Sequence, residues 1–121
     1  MKGLSVKMRV IMDIGAVLVL LCGGAVLAEE PRGNPEKGKD VYRTNCLNCH
    51  GAQGRGDGPV ADQLTPRPAD LTSEKVQQAA DKDLLAIIRD GKPGTSMPSW
   101  KGDLSNQHML DALAFLRGLV Q

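Results

Sequence analysis

Aromatic residues are nearly missing from this sequence: its 121 residues include one Trp, one Tyr and one Phe. Tyr42, Trp100 and Phe115 are too few to fill the centre of a domain. A chain this short also buries only a modest fraction of its surface. Something other than aromatic side chains must supply core. Segments of strand length and alternation are lacking, as are internal repeats, which leaves an all-α reading. The 15 basic and 14 acidic residues form no basic tract and no basic–aromatic interleaving, so nucleic acid is excluded as a partner. Cysteine is scarce too, at three.

Long apolar runs are confined to the start of the chain. Lys2, Lys7 and Arg9 make a positive opening, Ile14 to Leu27 an apolar run, and Val26-Leu27-Ala28 a signal-peptidase site. Residues 1–28 are therefore expected to be a signal peptide, and 29–121 one exported domain. An alternative stays open. Val10 to Ala28 approaches the length that spans a bilayer, although Asp13 interrupts it, and if residues 10–28 are retained they anchor the domain to the membrane. Acylation of Cys22 fits poorly, because Leu21 stands where a small residue is expected. Cleavage removes three basic residues, one acidic residue and Cys22, which leaves a nearly balanced charge and two cysteines, Cys46 and Cys49.

Four helices are legible. Asn34 as N-cap, Pro35 and Glu36 start the first, which is expected to run through Gly38 and Tyr42 into the cysteine pair. Gly38 costs a helix interior roughly 1 kcal/mol relative to alanine, which close approach of another helix would explain. A short helix is expected near Ser73, including Val76. A third has Asp81 as N-cap, Leu84, Leu85, Ile87 and Ile88 as its apolar residues, and Gly91 as its stop. The last has Ser105 as N-cap and Leu104 with Met109 as a staple. Its stripe is Met109, Ala112, Leu113, Leu116 and Val120, flanked by Phe115 and Leu119. Between the first two helices, residues 51–71 carry no periodicity, and a loop this long suits a segment wrapped round a cofactor.

Within "CLNCHG", Cys46, Cys49 and His50 stand at i, i+3 and i+4, so they share a helix face. Structural zinc needs a second ligand pair at finger-like spacing, and a thioredoxin-type dithiol needs a βαβ frame; the sequence offers neither. Two thiols at this spacing, followed by histidine, are the attachment pattern of c-type haem. The flat apolar macrocycle would also replace the missing aromatic core. For the second axial position, Met109 is already accounted for by its helix stripe, and His108 by an ordinary place in the first turn. Met97 sits in the Gly/Pro/Ser-rich loop "KPGTSMPSW" with no stripe to join, and Pro98 holds it extended. Met97 is therefore the expected partner of His50 on iron.

These residues together resemble the class I c-type cytochromes, the bacterial periplasmic monohaem kind, and the resemblance covers nearly all of 34–119. "NPEKGKDVYRTNCLNCHG" is similar to the family's first helix and haem attachment site, "IIRDGKPGTSMPSW" to its methionine loop, and "LDALAFLRGL" to its last helix. The resemblance implies an all-α cytochrome c fold, about four short helices and long loops around one covalent haem c. It implies that Gly38 and Tyr42 meet the last helix at Phe115, and that the Pro59 carbonyl of "GDGP" orients His50. It implies contacts from Arg67 and Trp100 to the haem edge. Ala112, smaller than the leucine often found there, would loosen the crossing slightly. The function implied is one-electron transport in a respiratory or other redox chain, through transient contact with dehydrogenase or oxidase partners, rather than enzymatic catalysis. A cytochrome subunit of a larger oxidoreductase complex also fits. The alternative is a five-coordinate haem protein for gas binding or peroxide reduction, which requires Met97 to leave the iron.

Overall fold

Asn34 is extended and accepts the Lys37 N–H, and Pro35 takes the first helical position, so helix α1 runs Pro35–Asn45 as its cap chemistry dictates. The computed structural model describes residues 32–120. The expected cleavage site, membrane anchor and Cys22 lie outside them. Four more α-helices follow: α2 (Leu47–His50), α3 (Glu74–Gln77), α4 (Asp81–Asp90) and α5 (Asn106–Arg117). Short 3₁₀ turns occupy Ala61–Gln63 and Gly118–Val120. There is no strand among the described residues, where pairing is limited to one isolated bridge between Lys101 and Leu104. No helix of the described residues is long and apolar enough to cross a membrane.

The buried core is essentially one helix crossing. Tyr42 from α1 and Met109, Ala112, Leu113 and Leu116 from α5 are buried, and Ala61 is the remaining buried apolar residue. The rings of Tyr42 and Phe115 meet at 5.1 Å between centroids and 50° between planes. Gly38 has its explanation here: a Cβ on it would collide with the backbone carbonyl of Asp111 and come within 3.0 Å of the Ala112 nitrogen. Ala112 is buried at this crossing, where backbone meets backbone.

The elements depart from expectation in three places. The first helix does not continue through the cysteines; it ends at Asn45, and Cys46 takes φ −115° before α2 begins. Asp81 does not cap α4. Ala80 is the N-cap, and Asp81 lies in the first turn, where Arg117 holds its carboxylate at 2.6 Å. Val120 leaves the apolar stripe and is 51% exposed, because the α-helix has tightened into a 3₁₀ turn from Gly118.

Candidate functional site

A four-residue helix cannot satisfy its own C-terminal carbonyls, so α2 needs help from elsewhere. The glycine-rich segment that follows supplies it. Gly51 N–H donates to Leu47 O at 2.8 Å, Val60 N–H to Asn48 O at 3.1 Å, Gly58 N–H to Cys49 O at 3.1 Å and Gly56 N–H to His50 O at 2.8 Å. Beneath this, the buried Tyr42 hydroxyl donates to Gly51 O at 2.7 Å. The turn from Cys46 to His50 is thus pinned on every side by backbone bonds. Cys49 and His50 both donate their N–H groups to Cys46 O, at 3.2 and 2.9 Å, which keeps the three side chains on one face despite the break in α1.

Both cysteines are free thiols and half-buried. Burial, with the neighbouring Cys49, pushes the Cys46 thiol up to about 11. Burial lowers the pKa of His50, against an opposing contribution from the Ala69 carbonyl, so the ring is neutral at pH 7. Its Nδ1 lies 2.9 Å from Ala69 O. An N–H on Nδ1 leaves the Nε2 lone pair free, which is the tautomer that ligates a metal through Nε2.

The partner of Nδ1 was expected to be the Pro59 carbonyl, and the structure puts Ala69 there instead. The N–H groups around "GDGP" bond the α2 backbone, from Gly56 to His50 O, Gly58 to Cys49 O and Val60 to Asn48 O, while the chain returns at Ala69 to bring its carbonyl to the ring. Ala69 was missed in the sequence, although "ADLTS" carried a signal, since Asp followed by Thr and Ser two and three residues on favours an Asx turn.

Met97 sits on a second pinned segment. The last carbonyls of α4 are met by the loop that returns over them: Gly91 N–H donates to Ile87 O at 2.9 Å, Trp100 N–H to Ile88 O at 3.2 Å and Lys101 N–H to Arg89 O at 3.0 Å. The Ser99 hydroxyl adds a bond to Arg89 O at 2.7 Å. Within the loop, Thr95 Oγ1 accepts Met97 N–H at 3.1 Å and Lys92 N–H donates to Met97 O at 3.2 Å. Trp100 is half-buried against the end of α4. Arg67 points to the surface and pairs with Asp62 at 2.9 Å, both side chains largely exposed. His108 is exposed in the first turn of α5. Among the described residues, no group of three or more His, Cys, Asp or Glu side chains is gathered for a metal ion.

The donor set and its surroundings fit a haem. Two thiols and an imidazole share one turn, and the half-buried Met97 lies on a separate loop. The four apolar residues of α4, Leu84, Leu85, Ile87 and Ile88, are all only half-buried, as are Leu64, Leu71 and Leu104. That is apolar surface a flat macrocycle can cover.

Comparison with known proteins agrees. The family described as "Cytochrome C oxidase, cbb3-type, subunit III" matches residues 33–116. Cytochrome c55X of Paracoccus denitrificans is 33% identical over 88 residues, covering 73% of this chain and 77% of that protein. The cytochrome c subunit of the quinone alcohol dehydrogenase of Gluconobacter oxydans is 30% identical over 96 residues; the match takes in 77% of this chain and 20% of that subunit. Among solved structures, a chain of the reducing HAO-like protein complex of Kuenenia stuttgartiensis superposes with a TM-score of 0.64 at 27% identity, over 74% of this chain and 44% of its own length. The fold is that of the class I c-type cytochromes. The chain belongs to the cytochrome c family, a family of electron carriers whose cofactor is haem c.

Proposed function

We propose that this protein is an exported one-electron carrier with a single haem c, bonded through thioethers to Cys46 and Cys49 and ligated by His50 and Met97. The observation that carries this reading is the pinned turn. Cys46, Cys49 and His50 share one face, both thiols are free, and the His50 Nδ1 is already engaged by Ala69 O. When bound, the haem supplies an iron that gains and loses one electron, and methionine–histidine ligation raises its potential.

The chain's own residues do the rest. The backbone bonds from Gly56, Gly58 and Val60 hold the attachment turn in one geometry, which keeps reorganisation small as the charge changes. Ala69 O fixes the His50 tautomer and strengthens its donation. The loop over the end of α4 presents Met97. Electrons would pass to and from dehydrogenase or oxidase partners through transient contacts, or within a larger complex of the kind in which the Gluconobacter relative is a subunit. The periplasm is the proposed location, with a membrane tether if residues 10–28 are retained.

The test is optical. In the oxidised, periplasmically matured protein, a weak thioether-to-Fe(III) charge-transfer band is expected, and it is lost in Met97→Ala while haem stays attached. Reduced Met97→Ala binds carbon monoxide and the parent does not. Replacing Cys46 and Cys49 together by serine abolishes haem colour on a denaturing gel. If the parent lacks the band and binds carbon monoxide, the iron has an open position, and gas or peroxide chemistry replaces electron transport.

A further inference from the structure

The carbonyl facing His50 belongs to an alanine in a loop, so something must hold that loop still. Asp70, the next residue, does so on one side. Its carboxylate accepts the Thr72 N–H at 2.8 Å and the Thr72 hydroxyl at 2.6 Å, closing an Asx turn. Its own carbonyl accepts the Ser73 hydroxyl at 2.7 Å and the Ser73 N–H at 3.3 Å. Leu71 N–H then donates to Gly54 O at 2.6 Å, and Leu71 O accepts the Gln77 amide at 2.7 Å. On the other side, Gly56 packs directly on Pro68 O and on the Ala69 carbonyl, where a Cβ would not fit. Ala69 is therefore clamped between a carboxylate-closed turn and a glycine contact, while Asp70 itself is exposed and bonds to Thr72 and Ser73.

We infer that Asp70 is a positioning residue for the reduction potential: by closing its turn on Thr72, it sets how firmly the Ala69 carbonyl accepts from His50 Nδ1. This rests on the reading of His50 as an axial ligand. A strong Nδ1–H···O bond makes the imidazole a better donor and favours Fe(III) over Fe(II). A slack turn weakens the bond and raises the potential. Asp70 closes the turn as a carboxylate, held below the usual carboxylate range by the Thr72 hydroxyl and N–H, and an amide oxygen at the same place is an Asx-turn acceptor too.

Three variants of the haem-loaded protein separate turn from charge. Asp70→Ala removes both, Asp70→Asn removes the charge but keeps an Asx-turn acceptor, and Thr72→Val removes one of the two bonds. The measurements are the reduction potential and the deuterium exchange of the His50 Nδ1 proton by NMR. We expect Asp70→Ala to shift the Fe(III)/Fe(II) preference about tenfold, a rise of about 59 mV for one electron, with faster exchange. Thr72→Val should fall between it and the parent, and Asp70→Asn should stay near the parent. Equal shifts in Asp70→Ala and Asp70→Asn would mean that charge alone acts, and would overturn the inference. So would unmoved potential and exchange in Asp70→Ala, even if its resistance to urea falls. A parent protein without His/Met ligation overturns both this inference and the proposed function, whereas intact ligation with unmoved variants overturns this inference alone.

Discussion

At the scale of the residue, Gly91 matters more than its lack of a side chain suggests. Its φ of +76° with ψ of −178° lies in a region open almost solely to glycine, where another residue costs about 1–3 kcal/mol. A Cβ there would also come within 2.8 Å of Ser99 N and 2.9 Å of Met97 O. Gly91→Ala should therefore push the Met97 loop off the end of α4. The expected outcome is a weakened thioether-to-Fe(III) band and carbon monoxide binding by the reduced protein, with covalent haem content unchanged. Such residues were legible only in part. The proposed haem-binding residues Cys46, Cys49, His50 and Met97 stand out by type and spacing, because few chemistries use them so. Pro59 and Ala69 do not, because what matters there is a backbone carbonyl, which every residue has. Which carbonyl meets the ring depends on how the loop folds back, and no local pattern encodes that.

At the scale of the element, the recurring device is one segment capping the end of another. The short helix α3 has its final carbonyls collected by Arg117 of α5, whose guanidinium reaches Val76 O at 3.1 Å, Gln77 O at 2.7 Å and Ala79 O, with Asp81 Oδ1 at 2.6 Å. A lysine lacks the fork needed for so many acceptors. Arg117→Lys is expected to lower the free energy of unfolding by about 1–3 kcal/mol, with Arg117→Ala at the upper end, because carbonyls are left unpaired; urea titration measures it. Helix starts at Asn34 and Ser105 were readable because their caps are local, the Ser105 hydroxyl accepting the His108 N–H at 3.1 Å. Asp81 misled because its carboxylate is claimed by Arg117, a residue far along the chain. The break at Cys46 was hidden for the same reason, since the bonds that pin α2 come from Gly56, Gly58 and Val60.

At the scale of the whole molecule, Asp111 is the buried charge that joins the two ends of the domain. It accepts the Asn34 N–H at 2.7 Å and the Gln107 amide at 2.9 Å, and Gln107 also reaches Arg32 O at 3.0 Å. Burial opposes its ionisation, but the Asn34 and Gln107 bonds and the charges of Lys37 and His108 outweigh it, holding Asp111 below the ordinary 3.8. A folded pKa lower than the unfolded one gives stability that is present above pH 3.8 and fades as acid protonates the folded state. Asp111→Asn is expected to cost about 1 kcal/mol near neutral pH, the difference between a charged and a neutral acceptor. The gap between variant and parent should close as pH falls below 3.8, as denaturation midpoints across that range would record. The same feature gives the domain the form of a ring with a clasp. Among the described residues, α1 and α5 form the main buried core, so the segments between them make a loop whose ends are already joined, and lengthening a flexible stretch of such a loop is cheap, about 0.6 kcal/mol for each doubling. Its exposed, unpinned stretches can thus vary in length without disturbing the clasp, whereas segments 56–60, 69–73 and 91–101 are fixed by the bonds they make.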